Sequence, residues 1–230
     1  MIPVLPDPAA SAAVLIGSST YRDPRLDALP GVVNNVRDLS EILTDSAFWG
    51  LPKERCRTVL DGAHPQDMSE PLDELASLAR DTFVVYYSGH GVITREGELV
   101  LPTELTNLDR PKRTALPYAS VRDIVSQCRA SRRIVILDCC FSGRALHAMS
   151  DATTAVIGQV DVEGIYVMTS APATSPSIAL PGARNTAFTG GLLGILRDGI
   201  PESSELLSLD DLYNCALRQG PGKVNVTVSD

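Results

Sequence analysis

What this 230-residue chain lacks closes several functional classes to it. No apolar run approaches the roughly 18 residues that cross a bilayer as a helix, so no membrane partner is expected. The segment from Met1 to Pro8 has no basic region, and the apolar run from Ala12 to Gly17 is too short for a signal-peptide core. The compartment expected on that reading is the cytoplasm. Cationic residues are in deficit: 20 Lys and Arg stand against 28 Asp and Glu, a formal charge of −8. Phosphate neutralisation needs a clustered excess of Lys and Arg, so no nucleic-acid partner is expected either. Histidines number three, and the five cysteines, Cys56, Cys128, Cys139, Cys140 and Cys215, are odd in number with no paired-ligand spacing. That pattern offers neither a disulfide framework nor a zinc site. The acids Asp151, Asp161 and Glu163 lack the spacing of a calcium loop, and no metal or other cofactor is expected.

Hydrophobic residues make up 44% of the chain and fall into a rhythm. Short β-branched runs alternate with helical stripes, the pattern of a mostly parallel sheet covered on both faces. Six strands are expected: Ala13 to Gly17, Arg57 to Leu60, Phe83 to Ser88, Arg133 to Asp138, Ile165 to Ser170 and Val224 to Val228. A short strand or hairpin from Glu98 to Leu101 is added to these. Helical stripes fall at Val32, Val36, Leu39 and Leu43, then at Leu72, Leu75 and Ala79 after Ser69, and at Val121, Ile124, Val125 and Cys128 with Ser120 as N-cap. Two more follow, Phe188 to Leu196 and Leu209 to Ala216, the second with Ser208 and Asp211 in capping-box register. Arg37 and Asp38 read as solvated positions on the first helix. One α/β domain over residues 1–230 is expected, with a loop over 144–164 between a larger first part and a smaller second part.

Two stretches are built alike: "VVYYSGHG", Val84 to Gly91, and "ILDCCFSG", Ile136 to Gly143. Each is an apolar run that breaks into small polar residues around one reactive side chain. In an open parallel sheet, residues just beyond the carboxyl ends of neighbouring strands share one crevice. His90 and Cys140 are expected there, each just past its strand. A thiol of ordinary pKa is mostly protonated at neutral pH, and an imidazole that takes its proton makes it a nucleophile. Cys139 continues the strand and is expected to pack inward, which leaves Cys140 as the nucleophile. The amides of Gly91 and Cys140 are the expected pair of oxyanion donors. A lone His or Cys at a strand end is more often structural; it is the matching positions of the two that favour chemistry.

These residues resemble the caspase superfamily of cysteine peptidases, in its metacaspase and bacterial caspase-like branch. "YYSGHG" is similar to the histidine motif and "DCCFSG" to the Asp-x-Cys-x-Ser-Gly cysteine motif. Fifty positions separate His90 from Cys140, which also agrees with caspases. The resemblance implies a caspase-like three-layer sandwich, with residues 1–143 large-subunit-like and 165–230 small-subunit-like. It further implies a cysteine endopeptidase acting on protein or peptide substrates with Arg or Lys at P1, in a bacterial defence, signalling or cell-death role. Asp138 stands where animal caspases have Gln, and the matching acid of metacaspases lines the S1 pocket. "LPGVVNNVRDL" is similar to the early helix motif, but Asn35 stands where a second pocket acid is usual, so one pocket charge is missing. Asp138, Ser88 and Asn35 are therefore the expected S1 residues; the plainer alternative has Asp138 merely capping the next helix.

Relatives are often cut in the loop after the cysteine strand. Arg144 is too near Cys140 for easy self-cleavage, and the Arg184 loop is the more accessible place for a nick. Two other readings remain open: a non-catalytic caspase-like module that binds a peptide, and a redox domain built on Cys139 and Cys140. The strand-like end "KVNVTVSD" suggests a longer natural chain with a regulatory domain or partner.

Overall fold

From Ala12 to Gly17 every residue is buried, as a strand covered on both faces requires. This strand, β1 (Ala12–Gly17), is followed by α1 (Gly31–Thr44), β2 (Cys56–Leu60), α2 (Pro65–Leu78), β3 (Thr82–Ile93) and β4 (Leu99–Leu101). The single turn α3 (Pro111–Thr114), the two-residue β5 (Leu116–Pro117), α4 (Tyr118–Gln127) and β6 (Arg132–Ser142) come next. Then come β7 (Tyr166–Thr169), α5 (Ala187–Asp198) and α6 (Leu209–Gln219). The computed structural model describes residues 5–142, 164–170, 183–200 and 207–219, with backbone only at 140–142, 218 and 219. The strand expected at Val224 to Val228 and the loop at Arg144 fall outside the described residues.

Strands β2, β1, β3, β6 and β7 lie side by side and parallel, while β4 and β5 extend the sheet antiparallel from the tip of β3. Among the described residues the sheet has seven strands; β4 answers to the short strand expected at Glu98 to Leu101, and β5 was not expected because it is too short to leave a periodic signal. Helices α2 and α4 cover one face, burying Met68, Leu72, Leu75, Val121 and Val125 against Val14, Ile16, Val85 and Val135. Helices α1, α5 and α6 cover the other, against Leu15, Tyr86, Ile134 and Ile136. The result is the expected α/β sandwich of three layers. Gly17 lets α1 approach the sheet closely: a Cβ there would stand 2.8 Å from Val36 and 2.9 Å from Val32.

Helix starts depart from expectation where local chemistry competes with the apolar stripe. Helix α2 begins at Pro65, ahead of Ser69, because the His64 amide donates to Asp67 Oδ2 at 2.9 Å and Pro65 suits the first helical position. Helix α4 begins at Tyr118, so Ser120 lies inside the first turn rather than at the cap. The Ser208–Asp211 box forms as expected, with the Asp211 amide donating to Ser208 Oγ at 3.1 Å and the Ser208 amide to Asp211 Oδ2 at 3.2 Å. On α1 the buried stripe is Val32, Asn35, Val36, Asp38, Leu39 and Ile42. Two polar residues thus sit on its core face, and Asp38, expected in solvent, is 2% exposed.

Candidate active site

The two sequence stretches are neighbours. Strands β3 and β6 pair from Thr82 and Arg132 onward, setting Ser88 opposite Asp138, Gly89 opposite Cys139 and His90 opposite Cys140. Both strands run further than expected, so His90 and Cys140 lie within the ladder instead of beyond it. The cause is a second partner. Strand β1 ends level with Ser88, and past that point β4 takes its place beside β3, pairing Val92 with Val100. Val92 therefore has ladder partners on both sides, and Gly89 to Gly91 are carried along β6, which their turn-like sequence does not announce. Gly91 lies opposite Phe141, one step beyond His90. Cys139 is fully buried on the α2 face, as expected. Strand β6 runs regularly through both cysteines, unlike the distorted backbone that a bridge between adjacent cysteines needs.

His90 is held at four points. Its Nε2 meets the backbone carbonyl of Asp27 at 2.9 Å. A carbonyl only accepts, so Nε2 carries the proton and Nδ1 is left as the basic nitrogen. The His90 amide donates to the Tyr21 hydroxyl at 3.0 Å, and the Tyr87 hydroxyl donates to the His90 carbonyl at 2.8 Å. The Tyr21 ring lies 5.0 Å from the imidazole, tilted by 53°. Gly89 makes room for both phenols, since a Cβ there would stand 2.7 Å from the Tyr87 hydroxyl and 3.0 Å from that of Tyr21.

The loop bearing Tyr21 and Asp27 is braced elsewhere. Asp61, at φ 50°, accepts from the Ser19 and Thr20 amides and the Ser19 hydroxyl at 2.6 to 3.1 Å. Buried Asp23 accepts from the Leu108 amide at 2.9 Å and pairs with Arg25 at 2.7 Å, and Arg25 also reaches Asp109. The Arg25 guanidinium holds the Asp23 carboxyl far below the usual carboxylate range.

Asp138 centres a second cluster, on the α1 face. Its Oδ2 accepts from the Thr186 hydroxyl and, at 2.6 Å, from that of Thr189. Thr189 in turn takes a hydrogen bond from Tyr86 at 2.7 Å. Asn35 Nδ2 lies 3.1 Å from Ser88 Oγ, 3.3 Å from Asp138 Oδ2 and 2.9 Å from Thr186 Oγ1, while its Oδ1 accepts from the Thr186 amide at 3.1 Å. The three expected S1 residues are thus brought together, joined by Thr186 and Thr189 from the start of α5. Asp138 Oδ1 is buried without a hydrogen-bond partner among the described residues. Burial pushes the Asp138 carboxyl above its ordinary value, and the hydroxyls of Thr186 and Thr189 pull the other way. Asp138 is a mid-strand residue and caps no helix that follows it directly.

One turn along α1, Asp38 accepts both Arg184 Nε, at 2.8 Å, and Arg184 Nη2, at 2.6 Å. Asn185 adds a bond to Asp38 at 3.0 Å, and Asn34 binds the Arg184 carbonyl at 2.8 Å. Arg184, expected as the more accessible place for a nick, is exposed, and α1 holds it through both its side chain and its carbonyl.

Sequence reasoning missed Tyr21, the Asp27 carbonyl, Thr186 and Thr189. Two polar residues three apart on an otherwise apolar helix stripe, Asn35 and Asp38, were the readable sign that something polar packs on α1. Among the described residues, no group of three or more His, Cys, Asp or Glu could hold a metal ion, and no helix is long and apolar enough to cross a membrane.

A family model described as the caspase domain matches residues 10–219. Caspase-1 from Spodoptera frugiperda has a similar solved structure, with a TM-score of 0.62 and 13% sequence identity over 93% of this chain and 77% of that one. No curated protein matches the sequence. The match in fold, with the family model spanning nearly the whole chain, makes this protein a member of the caspase domain family of cysteine peptidases.

Proposed function

We propose that the chain is an active cysteine endopeptidase in which His90 is the general base, Cys140 the nucleophile and the amides of Gly91 and Cys140 the oxyanion donors. The observation that carries this reading is the register of β3 and β6, which sets His90 directly opposite Cys140. The Cys140 thiol passes its proton to His90 Nδ1, and the sulfur attacks the scissile carbonyl carbon. The tetrahedral oxyanion is held by the two amides. The C–N bond then breaks, and the departing amine takes the proton back from His90. Water, deprotonated by His90, hydrolyses the thioester and restores the thiol.

Specificity for Arg or Lys at P1 follows from Asp138. A carboxylate with one oxygen unpartnered in a low-dielectric site binds a guanidinium or ammonium and is badly served by a neutral side chain. Asn35 and Ser88 supply hydrogen bonds and no second charge. In this conformation Asn35, Ser88 and Asp138 are each at most 2% exposed. A basic side chain enters only once the Thr186–Thr189 cover gives way, which fits an enzyme at rest. The closure equally favours a second reading, a caspase-like module that binds a partner peptide without cutting it. By the family resemblance, the role belongs to bacterial defence, signalling or cell death in the cytoplasm, under a regulatory domain or partner.

Hydrolysis of fluorogenic peptides ending in Arg, Lys or Asp, by the wild type, Cys140→Ala and His90→Ala under reducing conditions, tests the proposal. Cleavage after Arg that both substitutions abolish is the expected result. Folded protein that binds Arg-ending peptides but cuts none favours the binding module, and cleavage after Asp overturns the role of Asp138.

A further inference from the structure

We propose that Tyr21 is a positioning residue for His90, aligning the general base through the main chain; this rests on the reading of His90 as that base. Tyr21 and its loop supply three of the restraints on this one residue. The Tyr21 hydroxyl accepts from the His90 amide at 3.0 Å and donates to the Ser18 carbonyl at 2.6 Å, tying the tip of β3 to the end of β1. The Tyr21 ring lies 5.0 Å from the imidazole, tilted by 53°. Six residues on in the same loop, the Asp27 carbonyl meets Nε2 at 2.9 Å. The ring also packs against Leu26, Val92, Val100 and Ala115, so it cannot move without disturbing the β3–β4 corner.

The chemistry of the phenol suits the task. Burial holds its pKa far above neutrality, so the hydroxyl keeps its proton and serves as donor and acceptor at once. The Tyr87 hydroxyl donates to the His90 carbonyl at 2.8 Å. Gly89 is the clearance both phenols need: a Cβ would meet them at 2.7 Å and 3.0 Å. The pair fixes the peptide planes on either side of His90, and with them the direction of its Cα–Cβ bond. A displacement of about 1 Å at a reacting group lowers rates on the order of a hundredfold. Loss of a single hydrogen bond here therefore weighs more on turnover than on stability.

The test is Tyr21→Phe, which keeps the ring and removes the hydroxyl, with Gly89→Ala as a second variant that crowds the same hydroxyls without altering either tyrosine. Three readouts are compared: kcat and KM on an Arg-ending peptide, the melting temperature, and the 15N shifts of the His90 imidazole, assigned by their loss in His90→Ala. Expected for Tyr21→Phe is a fall in kcat of about ten- to a hundredfold, KM within about twofold of wild type, and an altered imidazole tautomer balance. A variant that melts lower but keeps the wild-type kcat and imidazole shifts would show Tyr21 to be merely structural and overturn the proposal. A wild type that cuts no peptide sinks the peptidase reading instead. The imidazole shifts still decide then whether Tyr21 orients His90, because they need no turnover.

Discussion

Asp138 is where single residues decide most. A carboxyl whose folded pKa is raised stabilises the fold while protonated; that contribution is complete below the ordinary carboxylate range and is lost as pH rises through the raised value. At neutral pH, keeping Asp138 ionised in a buried site therefore works against the fold. Asp138→Asn is expected to raise the melting temperature at pH 7, by on the order of 1 kcal/mol in stability, with the gain shrinking toward pH 4. If the proposed specificity holds, the same change is expected to lower cleavage after Arg by about a hundredfold or more, because the cation loses the Asp138 counter-charge. Calorimetry from pH 4 to 8 beside peptide hydrolysis checks both halves. A drop in stability at pH 7 would mean that the carboxylate is structural. Asn35 fits the same logic: its Nδ2 faces Asp138 Oδ2 at 3.3 Å, where a second carboxylate would repel the first.

Between elements, the Asp38–Arg184 clasp joins α1 to the start of α5 and so sets where Thr186 meets Asp138. The Arg184 guanidinium holds the Asp38 carboxyl below its ordinary value. Stability from a lowered carboxyl is present above the ordinary carboxylate pKa and lost as pH falls through the folded one. Arg184→Ala should melt lower than wild type at pH 7, with the gap closing in acid, and thermal melts between pH 3 and 7 read this directly. A gap that persists unchanged in acid would remove Asp38 from the explanation. The clasp also marks the limit of what was legible beforehand. The strand cores of β1, β3 and β6 could be read because β-branched runs buried on both faces have few other uses. That His90 and Cys140 lie side by side could be read because reactive residues ended two such runs. The lengthening of β3 and β6 could not, since "SGHG" looks like a turn until β6 is known to run beside it and β4 to take up Val92 and Ile93. The support of His90 was hidden for a different reason: a backbone carbonyl at Asp27 and a phenol at Tyr21 act through long-range contacts that leave no periodicity.

Across the whole molecule, the segment 143–163 links two parts that are held together without it. Strand β7 pairs with β6 from Ile134–Tyr166 to Leu137–Thr169, and α5 and α6 share the apolar layer with α1. The Asp138 cluster draws on both parts as well. A chain carrying an inserted specific-protease site near residue 153, once cut, should elute on size exclusion as one species and separate only in denaturant. Two peaks under native conditions would mean that the covalent link is needed. Asp138 belongs to the first part and the Thr186–Thr189 cover to the second, so movement of one against the other would uncover the Asp138 carboxyl.

The double flanking of the β3 tip has a consequence for hydrogen exchange. A catalytic histidine at a strand end would sit where amides open freely and trade with solvent in seconds. Here Val92 is paired with Val100 on one side and Ser142 on the other, and is 4% exposed. Its amide should exchange with deuterium as slowly as amides in the middle of β3 and far faster only once the β4 corner is disrupted. His90, two residues earlier, would then ride on one of the last parts of the sheet to open, so that heat or denaturant would abolish its alignment together with the fold and not before it.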